Sequence, residues 1–267
     1  MKIMFLGTGS IIPEPRLNGG VARSYTGILV KVGDEYLLFD VGPGVLQKMI
    51  ERGYDITQKP DRLFITHYHM DHNADYAPLV KARCFIPKTG AVGVGKNLRV
   101  YGPTRLKEFS KNVFEDTERW SYMGRDLRYK KVVTLKEVDS GLVEETENWK
   151  VTCIPVEHYD GVAFRLDAGG KSFVYSGDMA YDENISKIGK GADLVAIECS
   201  YPDRETLKGK HLCPEDIAKL AEKGNFKRIV LTHMYPQCNG REKEMIAKIG
   251  KPGRKTVAAF DGMEIEI

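Results

Sequence analysis

Three imidazoles and one carboxylate fall inside the stretch Thr66-His67-Tyr68-His69-Met70-Asp71-His72, directly after the apolar run Leu63-Phe64-Ile65. Imidazole nitrogen and carboxylate oxygen are the donors that zinc and similar divalent cations prefer. Side chains alternate along an extended segment, which predicts that His67, His69 and Asp71 point the same way. His72 then opens a helix predicted over 73–83, where the turn of the chain swings its ring toward the same space. Four donors so close in sequence exceed what one tetrahedral ion takes from a local segment, so two metal ions are expected.

The chain has six histidines, and two others, His158 and His233, follow apolar runs as His67 does. Strands predicted over 150–156 and 228–231 lead into them. Asp178 comes after a strand predicted over 172–175, and Glu198 closes one predicted over 193–197. Strand ends in an α/β protein lie along common edges, so such residues converge without being sequence neighbours. His211 alone stays outside this pattern. It precedes a helix predicted from 213 to about 223 with Pro214 in its first turn, where a capping or exposed histidine is the plain interpretation.

The elements that must position these groups alternate along the chain. A strand predicted over 3–6 ends in Gly7-Thr8-Gly9-Ser10, and a lone GxG is more often a turn than a phosphate site. Apolar runs over 25–32 and 36–40 flank Gly33-Asp34 as a hairpin. Asp40-Val41-Gly42-Pro43-Gly44 leads into a helix predicted over 45–52, with Asp40 placed as a cap. Residues 90–97 approach a nucleotide-binding loop, but Asn97 stands where a magnesium-holding Ser or Thr is needed, so a plain loop is expected. A strand over 98–101 and an amphipathic helix to about residue 117 follow. The charged run 125–131 is expected to be a solvated face, with contact to substrate phosphates as its minority role. No stretch has linker-like composition, which predicts an α/β fold with residues 1–267 as one domain.

At 267 residues and 42% hydrophobic content the chain can bury a sizeable core. A net charge of +3 permits a phosphate-bearing substrate without arguing for a surface coated by nucleic acid. Five scattered cysteines with no CxxC suit a reducing compartment. The first apolar run is too short for a signal-peptide core, and none reaches the roughly 18 to 20 residues of a membrane span. A soluble, cytoplasmic protein with no membrane partner is expected.

The HxHxDH stretch after a strand resembles the signature of the metallo-β-lactamase superfamily. The GTGS opening resembles its ribonuclease Z and arylsulfatase-like branch, and the likeness runs from Gly7 to the closing Phe260-Asp261-Gly262-Met263. It implies a four-layer αββα sandwich of the metallo-β-lactamase fold, with metals at one edge of two sheets. One metal would be held by His67, His69 and His158 and the other by Asp71, His72 and His233, with Asp178 bridging both and Asp40 supporting the metal loop. Two Zn2+ ions are implied, with Mn2+ or Fe2+ as alternatives, and a hydroxide between them would be the nucleophile.

The segment Gly209-Lys210-His211-Leu212-Cys213-Pro214-Glu215 resembles a ribonuclease Z motif in which a histidine, oriented by an upstream glutamate, gives a proton to the leaving oxygen. Glu198 matches that glutamate. A charged side chain directly after an apolar strand needs a partner, and a histidine partner would hold it ionised while raising the imidazole pKa. Asp71, His211 and Glu198 would thus carry the catalysis of a phosphodiesterase acting on RNA or a smaller diester, with a homodimer as an open expectation. The chain departs from bacterial ribonuclease Z in lacking a long Gly/Pro-rich arm with a basic tip, so tRNA 3′ processing does not follow. Sulfate-ester or carboxylic and thioester hydrolysis at the same metals is the neighbouring alternative. Iron-dependent oxidoreductase chemistry and a metal-bound scaffold without turnover are the more distant ones. No flavin module accompanies the fold, and Glu198 and His211 would be surplus in a scaffold.

Overall fold

Along the first strand, β1 (Lys2–Gly7), Ile3 and Phe5 face one core while Met4 and Leu6 face another. The same alternation recurs in β2 (Gly27–Val32), β3 (Glu35–Phe39) and β4 (Arg62–Phe64), where Ile28, Val30, Leu37, Phe39 and Phe64 join the first core and Leu29, Leu38 and Leu63 the second. A strand with apolar side chains on both faces must be covered on both. The computed structural model describes residues 1–13, 22–85, 95–116, 129–251 and 253–267.

These strands, with β5 (Leu98–Gly102), β6 (Val133–Glu137) and β14 (Glu264–Glu266), make one seven-stranded sheet in the order β14-β1-β2-β3-β4-β5-β6. A second sheet has the order β13-β12-β11-β10-β9-β8-β7, from β7 (Gly141–Glu145), β8 (Trp149–Pro155), β9 (Val162–Ala168), β10 (Lys171–Tyr175), β11 (Leu194–Glu198), β12 (Arg228–Thr232) and β13 (Lys255–Ala258). Each sheet is antiparallel in one half and parallel in the other. The second half of the chain therefore repeats the rhythm of the first.

The first core lies between the sheets and draws on both, with Phe39 edge-on to Phe173 at 5.7 Å and Phe64 edge-on to Phe164 at 5.4 Å. Helices α1 (Val45–Glu51) and α3 (Tyr76–Arg83) cover the outer face of the first sheet. Residues of the helices Pro214–Gly224 and Glu242–Ile249 cover that of the second. The fold is the αββα sandwich of the metallo-β-lactamase class.

One local expectation changes. The helix predicted over 73–83 is two pieces, α2 (Met70–Asn73) and α3. The break falls at Asp75, whose amide donates to Val41 O and whose carboxylate accepts from the Leu46 amide, so this residue serves the neighbouring loop rather than one continuous helix. Gly7-Thr8-Gly9 makes no open anion site, in keeping with the turn expected there: Thr8 N donates to Asp261 Oδ1 at 3.0 Å and Gly9 N to Ser24 O at 2.7 Å. A Cβ at Gly7 would stand 1.7 Å from Tyr25 O, so close approach of the backbone is the reason for glycine there. Residues 90–94 of the near-match to a nucleotide loop, residues 125–128 of the charged run and the predicted helix end at 117 lie outside the described residues.

Candidate metal centre

The C-terminal ends of β4, β8, β10 and β12 open onto one edge of the sandwich. His67 and His69 lie just after β4, His158 after β8, Asp178 after β10 and His233 directly after β12. Asp71 and His72 come from the first turn of α2, so Asp71 reaches the site from a helix and not through the strand alternation expected from sequence. The ligand atoms of His67, His69, His158 and Asp178 lie within 4.8 Å of one another, as do those of Asp71, His72, Asp178 and His233. Asp178 belongs to both groups. Its Oδ2 faces His67 Nε2 at 3.8 Å and His158 Nε2 at 4.0 Å, while its Oδ1 faces His72 Nε2 at 3.2 Å and His233 Nε2 at 3.3 Å.

The surrounding hydrogen bonds assign which ring nitrogens are free. Asp40, fully buried, accepts from Thr66 N and Thr66 Oγ1 at 2.8 Å each, from His72 Nδ1 at 2.7 Å and from the Tyr175 hydroxyl at 2.8 Å. With its proton given to Asp40, the Thr66 hydroxyl accepts from His67 Nδ1 at 3.0 Å. His158 Nδ1 donates to Lys210 O at 3.1 Å, and His233 Nδ1 lies 3.0 Å from Ser200 Oγ, whose own proton goes to Glu198. Each of these four rings therefore turns a bare Nε2 inward. His69 brings Nδ1 to within 3.3 Å of His158 Nε2.

The electrostatics fit a cation. Burial and the neighbouring His72 push the His67 imidazole well below its ordinary value, and burial pulls His158 down to about 4, leaving the neutral rings that metals bind. Burial opposes charge on His72, but the Asp178 and Asp40 carboxylates raise it well above 6.5. Positive charge is thus drawn between the carboxylates. His67 Nε2, His72 Nε2 and Asp178 Oδ1 are buried without a hydrogen-bond partner, a state that native interiors avoid unless an ion or water completes it.

Beside this pair of groups, His211 Nδ1 donates to Glu198 Oε1 at 3.0 Å. The other donors to Glu198 are Met179 N, Ser200 N, Ser200 Oγ and Leu212 N, so although Glu198, His211 and His233 lie close enough together to hold an ion, the Glu198 carboxylate is already engaged as an acceptor. Burial works against a charged His211, yet Glu198 beside it raises the imidazole to about 9. Its ring lies 5.7 Å from that of His233 and 5.8 Å from that of His158.

The seven candidate ligands singled out from sequence, with Glu198 and His211, meet at this edge. Ser200 and Tyr175 were not among them. Ser200 joins Glu198 to His233, and Tyr175 supports Asp40; the one signal for either was its place at or just past the end of an apolar strand. Gly177 holds the seam. At φ +59° it lies against Thr66, and a Cβ there would stand 2.7 Å from Thr66 Cβ.

The family profile described as Beta-lactamase superfamily domain matches residues 35–234. A probable metallo-hydrolase, YhfI of Bacillus subtilis, is 28% identical over 239 residues, covering 88% of this chain and 87% of its own. Ribonuclease Z of Pyrococcus furiosus is 25% identical over 294 residues, covering 93% and 91%. Among solved structures, human tRNase Z, short form, superposes with a TM-score of 0.76 at 21% identity, covering 100% of this chain and 99% of its own. The chain belongs to the β-lactamase superfamily. It is a metal-dependent hydrolase of that superfamily.

Proposed function

We propose that this chain, as one domain over residues 1–267, is a phosphodiesterase holding two divalent ions, zinc first and manganese or ferrous iron as alternatives. His67, His69 and His158 would hold one ion and Asp71, His72 and His233 the other, with Asp178 shared by both groups. The two-sided placement of the Asp178 oxygens supports the count, and the core shared by both sheets supports the single domain. Bound ions of this kind supply Lewis acidity to a phosphoryl oxygen and a water of lowered pKa.

The observation that carries the diester chemistry is the bond from His211 Nδ1 to Glu198. An alkoxide is a poor leaving group and needs a proton as it departs. His211, held charged by Glu198, delivers that proton from Nε2. Ser200 and the amides of Met179 and Leu212 fix the glutamate in place. Asp71 orients the attacking water as an acceptor. Relatives named ribonuclease Z add support for a phosphodiester, RNA or smaller. No helix among the described residues is long and apolar enough to cross a membrane, and five unbridged cysteines accord with a cytoplasmic setting.

Turnover of bis(p-nitrophenyl) phosphate by metal-analysed protein tests this. His211→Ala should lose roughly 10²- to 10⁴-fold in kcat while keeping its metal. Joint loss of metal and turnover would make His211 a ligand or a structural residue. A wild type inert toward the diester but active on an aryl sulfate or a thioester would replace the assignment.

A further inference from the structure

We propose that the groove adjoining His158 takes a neutral, ring-bearing arm of a singly charged phosphodiester and disfavours a second phosphate, so that the substrate is a small nucleoside-type or aryl diester rather than a polynucleotide. This rests on the phosphodiesterase assignment above and narrows it. The groove has a volume of about 460 Å³, within the range of roughly 300 to 1,000 Å³ usual for small-molecule sites. His158 is common to the groove and to the first group of metal-ligand candidates. A diester reacting there has one arm directed along the groove.

The lining decides what that arm carries. Asp139, Glu157 and Asp160 contribute three carboxylates, and Lys210 is the one cation among the described lining residues. Its ammonium is already 2.7 Å from Glu157 Oε1. Grooves that track a polynucleotide neutralise successive phosphates with lysine and arginine. Here the next phosphate would face Asp139 and Asp160 instead.

Tyr159 supplies the complementary surface. It is 63% exposed, although its ring lies 5.0 Å from that of His158 and 5.3 Å from that of His69. Lys210 Nζ sits 5.2 Å from its centroid. An exposed aromatic ring beside a reactive centre, on a backbone held at positive φ through both Tyr159 and Asp160, suits stacking on a planar group. Stacking on a flat ring is indifferent to charge; the carboxylates around it are not.

The test uses the metal-loaded, full-length protein and two probes, thymidine 5′-(p-nitrophenyl phosphate) and the same compound bearing a 3′-phosphate. Expected is a kcat/KM lower for the 3′-phosphorylated probe by about fivefold or more, the effect of one uncompensated like charge at contact distance in water. The double variant Asp139→Asn/Asp160→Asn should shrink that ratio toward one. Tyr159→Ala should raise KM for the thymidine probe by about fivefold or more, the loss of one stacking contact. Equal kcat/KM for both probes in the wild type, or a ratio unmoved by the double variant, would overturn the groove assignment while leaving the phosphodiesterase intact. If neither probe nor bis(p-nitrophenyl) phosphate is turned over, the phosphodiesterase itself fails and this inference falls with it.

Discussion

Asp40 concentrates four hydrogen bonds on one carboxylate at the base of the metal loop, and one of them fixes the His72 ring. An amide offers one acceptor oxygen in place of two, so Asp40→Asn leaves donors among Thr66, His72 and Tyr175 unserved. Its left-handed backbone, φ 57°, is one that asparagine tolerates, so the effect should fall on the site. Metal affinity is expected to drop about 10- to 100-fold, measured by competition with a chelator. Glu198 offers a separate prediction. The wild-type rate should fall as pH rises past about 9, where His211 loses its proton, and Glu198→Gln should move that alkaline limb to lower pH by removing the main source of the raised value. An unmoved limb in the pH profile would exclude Glu198 as the partner. At this scale the HxHxDH spacing was legible because ligands local in sequence announce themselves. Ser200 and Tyr175 were not, because a hydroxyl that serves another side chain has no sequence pattern of its own.

At the scale of elements, the central strands were legible within a residue or two because both faces are apolar. The strands β6, β7, β13 and β14 lie toward the sheet edges or ends, with mostly polar or half-exposed side chains, and no element was expected there from sequence. The split between α2 and α3 was also hidden, since Asp75 is spoken for by Val41 and by the first turn of α1. Asp61, 2% exposed at the start of β4, ties that strand to β3 by accepting from Tyr36 N at 2.8 Å, with Lys59 Nζ at 2.9 Å and Lys96 also bonded to it. Asp61→Ala should cost about 1–3 kcal/mol in chemical denaturation, most of it from the partly buried Tyr36 amide left without an acceptor. Burial works against the ionised carboxyl, but the bonds from Lys96 and Lys59 hold it below its ordinary 3.8. Its ionic contribution is therefore complete above about pH 4 and is lost as pH falls through the folded value, so the gap between wild type and variant should narrow in acid without closing, since a protonated carboxyl still accepts from the Tyr36 amide.

Across the whole molecule, residues far apart in sequence close the sandwich. Asp261 accepts from the amide and hydroxyl of Thr8, from the amide and hydroxyl of Ser24 and from Lys48 Nζ at 2.6 Å, which joins the turn after β1 to the approach to β14. Asp261→Ala strands several of these donors at once. A loss of about 2–4 kcal/mol is expected from denaturation curves, and a change below 1 kcal/mol would mean that water replaces the carboxylate freely. The α/β class was legible from the alternation of strands and helices, and the four-layer order followed from the resemblance that the metal motif carries. The mirrored strand order of the two sheets was legible from neither, because alternation does not say which strands pair, and β14 joins β1 from the far end of the chain.

Gly177 sets the distance between the two halves of this edge, since only a hydrogen atom separates its α-carbon from Thr66. His67 follows that threonine and Asp178 follows that glycine. A methyl group at this spot would act as a shim between abutting plates, widening the mouth on one side and skewing the bridge on the other. The tolerance of the whole ion cradle is thus written in the smallest substituent the chain possesses.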